Sequence, residues 1–312
     1  MNRHLLLSEF LATPWALMPE RLQAAAGVLH RWACGQTSDP VTLAAIADDR
    51  QARDTRRDAA AQNAARGGIA VLPLYGILAP RANMVDDISG PGGTSTQLFA
   101  QALRQACADD TVGAILIDID SPGGSVYGVS ELAEEILQAR AKKPICAIAN
   151  SLAASAAYWV GCAAGELYVT PSGEVGSIGV WQAHGDYSKM LDEEGVCMTL
   201  IAAGKYKVEG NPYQPLDDEA RAFMQSRVDD YYAAFTKGVA KSRGVPIAQV
   251  RTGMGEGRVL GAEAARAENM VDGILTFDAL VARLQKQLKS GRQESAKTSR
   301  RAAAERDLQL LG

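Results

Sequence analysis

Two serines, a pair of lysines and a glycine-rich loop are the residues whose types and spacing could carry chemistry in this chain. Ser155 stands among small residues, with Ala153 and Ala154 before it and Ala156 and Ala157 after it. A hydroxyl flanked in this way can be approached closely by a second backbone or a bound peptide. It follows an apolar β-type run at 145–149 and a turn-prone Asn150-Ser151, and it precedes a helical segment. One reading is a nucleophile held at a helix start, where unpaired N–H groups and the helix dipole favour developing negative charge. The other is a capping serine on a buried, alanine-rich helix.

A serine nucleophile needs a base. The chain has three histidines, His4, His30 and His184, so a Ser-His-Asp triad would fall to His184, which has no acid at motif spacing. A lysine can serve instead if burial lowers its pKa from ~10.4 to about 7, at a cost of roughly 4–5 kcal/mol. Lys205 and Lys207 lie in a glycine-flanked loop after an apolar run at 196–202. Two apart on an extended segment, they point to opposite sides, so one can turn inward while the other stays in water. Two surface lysines are the plainer alternative. Asp120-Ser121-Pro122-Gly123-Gly124 closes another apolar run, at 112–119. Its paired glycines let backbone N–H groups face a ligand, as an oxyanion hole requires, though an ordinary strand-to-helix turn would use the same residues. Neither phosphate-loop spacing, G-x-x-x-x-G-K or G-x-G-x-x-G, is present.

Alternating strands and helices must position these groups. Strands are predicted at 69–76, 112–119, 145–149, 168–170, 176–180, 196–202 and 271–274, with helices over 96–108, 129–141, 187–194, 216–243, 262–269 and 277–288. This alternation predicts an α/β domain over 69–280 with a mostly parallel sheet and flanking helices. Residues 1–68 are expected to form an N-terminal helical arm and an Ala-, Asp- and Arg-rich linker, and 281–312 a C-terminal helix and polar tail. Gly90-Pro91-Gly92-Gly93 marks a turn.

Composition removes several classes. A net charge of −4 gives no electrostatic case for nucleic acid or an acidic membrane surface. Five cysteines without a C-x-x-C pair suggest neither a zinc site nor a disulfide framework. No stretch approaches the roughly 20 apolar residues of a membrane span, so a cytoplasmic protein needing no metal or cofactor is expected.

Taken together and in order, Ile119 to Gly124, Ala154-Ser155 with Tyr158-Trp159, Gly176-Ser177-Ile178-Gly179-Val180 and Gly204-Lys205-Tyr206-Lys207 resemble the signal peptide peptidase A (SppA)-type serine peptidases. The resemblance implies a Clp protease/crotonase-like fold and a Ser/Lys dyad. Ser155 would be the nucleophile, Lys207 the general base, and Ser177 the residue that orients the lysine. Gly123 and Gly124 would supply oxyanion N–H groups, with Lys205 as the outward lysine. Many members have Ser-Gly-Gly-Tyr where this chain has Ser155-Ala156-Ala157-Tyr158.

Ala183-His184, the run Lys207 to Tyr213, and Pro14-Trp15-Ala16 with Pro19-Glu20 look like the branch of lambda-type phage capsid assembly proteases. That branch implies an oligomeric endopeptidase cutting scaffold, portal or capsid proteins inside an assembling procapsid in the host cytoplasm, its half-open site completed by neighbouring copies. The alternatives are a housekeeping peptidase for signal peptides and protein fragments, a catalytically silent procapsid component, and a crotonase-type acyl-CoA enzyme.

Overall fold

The computed structural model describes residues 14–19, 58, 61–62, 64–81 and 93–291. Most of the expected N-terminal arm and linker, the Gly90-Pro91-Gly92 turn and the polar tail beyond 291 lie outside the described residues.

The main sheet grows from apolar runs that need cover on both faces. Strand β5 (Ala114–Ser121) is buried along all but one of its residues, as befits a central strand of a parallel sheet. It pairs in parallel with β2 (Ile69–Tyr75) on one side and with β7 (Ile145–Ala154) on the other. Strand β7 then takes two partners in succession. Cys146 to Ala149 lie against β8 (Glu166–Val169), and Leu152 to Ala154 against β9 (Glu174–Gly176). The changeover falls at Asn150-Ser151, where Ser151 has φ of 134° and its hydroxyl donates to Asp120 Oδ1 at 2.7 Å. The pair expected to end the strand instead sits inside it and lets it switch neighbours. Beyond β9 lies antiparallel β10 (Val259–Gly261), and beyond β8 the short β11 (Gly273–Ile274).

Helices cover both faces. Helix α1 (Thr96–Ala108) starts where the Ser95 hydroxyl accepts from the Leu98 N–H, and it buries Phe99, Ala100, Leu103 and Ala106. Helix α2 (Val129–Ala139) and helix α3 (Ala156–Cys162) pack on the same side. On the other face, the helix over 277–291 sets Leu280, Val281 and Leu284 against Ile69, Leu116 and Ile148. Fold class, sheet sense and most element positions agree with the expectation.

A second, smaller sheet crosses the top of the domain. Its order is β1 (Trp15–Leu17), β6 (Gly123–Ser125), β3 (Leu78–Ala79) and β4 (Thr94–Ser95). The first of these corrects the expected helical arm: Trp15, Ala16 and Leu17 are a buried strand antiparallel to β6. Three residues cannot announce a strand by periodicity, and their partner lies more than a hundred residues away in sequence.

A second correction concerns 196–202, which forms no strand. No strand of either sheet pairs with this run, and Val196, Met198 and Ile201 are exposed, Ile201 at 95%. Helix α4 (Ser188–Glu193), this run and the turns over 204–210 lead into α5 (Asp218–Arg243), a helix capped by Asp217 Oδ1 accepting from the Ala220 N–H. Only the far half of α5 joins the main core; in the near half Ala220 is buried but lies outside that core. Phe235 stacks on Trp159 with ring centroids 4.8 Å apart, while Phe223 in the near half is 56% exposed.

Candidate active site

Strand β7 delivers Ser155 to the junction of the two sheets. The residue has φ of 54° and ψ of −120°, a conformation that costs a non-glycine residue about 1–3 kcal/mol. Packing holds it there. Its N–H donates to the Gly176 carbonyl at 2.7 Å, its carbonyl accepts from the Trp159 N–H at 3.0 Å, and the residue is 1% exposed. The capping alternative is removed, because the Ser155 side chain makes no capping hydrogen bond to α3. Its hydroxyl instead donates to the Gly179 carbonyl at 3.5 Å, a long bond.

The helix behind it is inert. All seven residues of α3 are buried. Tyr158 donates to the Met270 carbonyl at 3.0 Å, and its phenol is pushed well above its usual range by burial. Burial likewise raises the Cys162 thiol to about 12. Both therefore stay neutral near pH 7, and α3 itself brings no charge to Ser155.

Gly123 and Gly124 occupy the other wall. A methyl group on Gly123, whose φ is 103°, would lie 2.2 Å from the Ala16 carbonyl oxygen and 2.9 Å from Ser155 Cβ. On Gly124 it would fall 2.1 Å from the Leu78 carbonyl oxygen. Only glycine fits either place, so the loop presses bare backbone against the serine. The loop is pinned by Ser121, whose hydroxyl donates to the Gly76 carbonyl at 2.6 Å and accepts from the Gly123 N–H at 3.2 Å.

Ser177 is the third member brought here. It follows Gly176, which accepts the Ser155 N–H; it is 9% exposed, has φ of 53°, and donates its own N–H to the Arg258 carbonyl at 2.7 Å. No hydrogen bond of its hydroxyl is found among the described residues.

Lys207 is not brought here within one chain. It is exposed in the turns over 204–210, its backbone N–H donating to the Gly204 carbonyl at 3.1 Å, and no hydrogen bond joins it to Ser155. The burial expected of it is absent because the run before it joins no sheet. The two lysines still differ. Lys205 bonds the Tyr206 hydroxyl at 2.7 Å and Glu219 at 3.0 Å, which hold its ammonium above the usual lysine range. Lys207 makes no ion pair among the described residues. His184 is tied to the Asn211 carbonyl at 3.0 Å and stands in no triad with Ser155.

Sequence reasoning missed Trp15–Leu17 and Trp181, which close the site from outside. Trp15 exchanges both backbone hydrogen bonds with Trp181, at 2.9 and 3.1 Å, and the Trp181 indole N–H donates to the Leu17 carbonyl at 2.9 Å. The Trp-x-Leu alternation was the one available signal. No group of His, Cys, Asp and Glu able to hold a metal ion occurs among the described residues. No helix among them is long and apolar enough to cross a membrane.

Comparison with known proteins points the same way as the motifs. Residues 138–290 match peptidase family S49. The chain is 38% identical over 209 residues to the capsid assembly protease C of Escherichia phage lambda, covering 66% of this chain and 45% of that protein. It is 34% identical over 248 residues to the head-tail preconnector protein GP5 of Enterobacteria phage P21, covering 78% and 49%. A chloroplastic serine protease SPPA of Arabidopsis thaliana is 26% identical over 189 residues, covering 60% of this chain and 28% of that protein. The chain thus spans about half the length of the two phage relatives.

Proposed function

Because this chain carries a peptidase family S49 domain, we propose that it is a serine endopeptidase in which Ser155 is the nucleophile and Lys207 of a second copy the general base. The observation that carries this reading is Ser155 itself. It is a strained, buried serine whose hydroxyl is not spent on the helix it begins and which lies against a glycine wall. Evolved structures keep such strain where geometry matters more than stability.

A lysine acts as base only after burial has stripped its ammonium of water. Exposed Lys207 meets that condition by docking against another copy. Val196, Met198, Ile201, Tyr206, Val208 and Phe223 give the surrounding surface the apolar character an interface would bury. In the reaction, the neutral Lys207 amine takes the Ser155 hydroxyl proton as Oγ attacks the scissile carbonyl. The oxyanion develops against N–H groups of the Gly123-Gly124 segment, the Gly123 N–H exchanging its bond to Ser121 Oγ for the substrate. Lys207 passes the proton to the leaving amine, and the peptide C–N bond breaks. Water, losing a proton to the same amine, then attacks the acyl carbonyl, and Ser155 Oγ leaves by taking that proton back from Lys207 as the acid is released. In this reading Ser177 would hold the incoming amine.

The similarity to a capsid assembly protease and a head-tail preconnector protein supports scaffold, portal or capsid proteins as substrates. The test is complementation. Ser155→Ala and Lys207→Ala chains should each fail to cleave co-expressed capsid proteins or casein, and a mixture should regain cleavage. Activity in the Ser155→Ala chain alone, or a mixture as dead as its parts, would sink this reading. Unaltered behaviour of both variants and wild type alike would leave a structural procapsid component.

A further inference from the structure

We propose that the cleft between Gly123–Ser125 and Trp181 is the peptide-binding groove of this site, and that Trp15–Leu17 is an intramolecular occupant which a substrate segment must displace. The inference rests on Ser155 being the nucleophile, and it adds what fills the groove and what sequence the groove prefers.

Both walls of the cleft are backbone edges. On one side Trp15, Ala16 and Leu17 stand opposite Ser125, Gly124 and Gly123, antiparallel, and the Met18 N–H donates to the Pro122 carbonyl at 3.1 Å. On the other, Trp15 and Trp181 exchange N–H and C=O at 2.9 and 3.1 Å, again antiparallel. An extended peptide adding itself between two such edges is a general mode of peptide capture. Here the added strand comes from the same chain, and it saturates both edges. With the strand seated, no second peptide can pair with either wall.

The seated strand also presents what a substrate would present. The Ala16 carbonyl oxygen abuts the α-carbon of Gly123 at the point where Ser155 Cβ also arrives. Its side chains alternate. Trp15 and Leu17 pack with Ile77, Ala79 and Trp181, whereas Ala16 turns the other way into the main core, where it is fully buried. The groove therefore selects a large apolar, small, large apolar pattern, with the small residue nearest the nucleophile. A bulky residue in the middle position would have no room, because the Ala16 side chain is already fully buried against the main core.

The lock is Trp15→Cys with Trp181→Cys, whose backbones already pair, in the full chain. Peptide mapping verifies the disulfide, and the readout is Ser155 acylation by a fluorophosphonate probe. Oxidised protein should label at least tenfold more slowly than the same protein after reduction. Equal rates in the two states overturn the groove proposal while leaving Ser155 as nucleophile. No label on Ser155 in either state removes the Ser155 reading, and this proposal with it. Should the double variant fail to fold, hydrogen exchange of the wild-type chain decides. An excess of a pentapeptide with the Pro14 to Met18 sequence should speed exchange of the Trp15–Leu17 amides at least tenfold and leave those of Ala114–Ser121 unchanged. Unchanged exchange at Trp15–Leu17 overturns the proposal.

Discussion

The wall that carries Ser155 and the stretch that carries Lys207 are built on opposite physical terms. Around Ser155, the last residues of β7, all of α3 and the Gly123-Gly124 loop are buried, and backbone hydrogen bonds fix a conformation that the residue would not choose alone. Around Lys207, local turns replace sheet pairing and large apolar side chains face water. One region stores strain because packing over-determines it; the other has little tertiary packing with which to hold any. Under the proposed pairing of Ser155 with Lys207, the site would be complete only where the second region meets something that buries it.

The largest expected effect tests that division directly. Ser155→Ala and Lys207→Ala should each lower turnover by about 10³-fold or more, since in the proposed dyad nucleophile and base act as a unit. Lys207→Ala should leave urea unfolding of the isolated chain within ~0.5 kcal/mol of wild type, because the side chain is exposed and makes no ion pair among the described residues. A Lys207→Ala enzyme that keeps a tenth of its turnover on a peptide substrate would assign the base to another group.

The same contrast runs along a single helix. Phe235 in α5 is fully buried and stacked on Trp159 at 4.8 Å, so Phe235→Ala should cost about 3–5 kcal/mol. Phe223, three turns earlier and largely exposed, should cost less than ~0.5 kcal/mol when changed to Ala, measured on the monomer. If the variants are instead studied in the assembled state, Phe223→Ala should weaken association without touching monomer stability. Equal costs in the monomer would mean that the near half of α5 is packed after all, and that the exposed surface around Lys207 is not there to dock.

What could be read from the amino-acid order divides along the same line. Ser155, Ser177 and the Gly123-Gly124 pair are legible because their surroundings are written next to them: an apolar run, small residues, and glycines where backbones must touch. The parallel sheet is legible for the same reason, since apolar runs such as 114–117 call for burial on both faces. The position of Lys207 is not legible. Residues 196–202 have the composition of a strand, but whether a strand forms depends on a free sheet edge, which no local pattern encodes. Trp15–Leu17 fails for a related reason. Its two partners, β6 and Trp181, are distant in sequence, and three residues carry no measurable period. Asn150-Ser151 misleads in the opposite sense, because a turn-prone pair can also serve a strand that must change neighbours.

The smallest expected effect is the most specific to the Ser155 region. At φ of 54° and ψ of −120° a serine pays for its Cβ, whereas glycine adopts that conformation freely. Ser155→Gly relieves about 1–3 kcal/mol of strain and gives back roughly 0.5–1 kcal/mol through the greater entropy of glycine in the unfolded chain. The variant should therefore unfold about 1 kcal/mol later than wild type in urea while losing its turnover. Ser155→Ala keeps the Cβ and the strain, so it should lose turnover with no such gain. The pair separates the backbone cost of the turn from the chemistry of the hydroxyl. A Ser155→Gly chain less stable than Ser155→Ala would mean that the turn is relaxed, and that the strain invoked for the nucleophile does not exist.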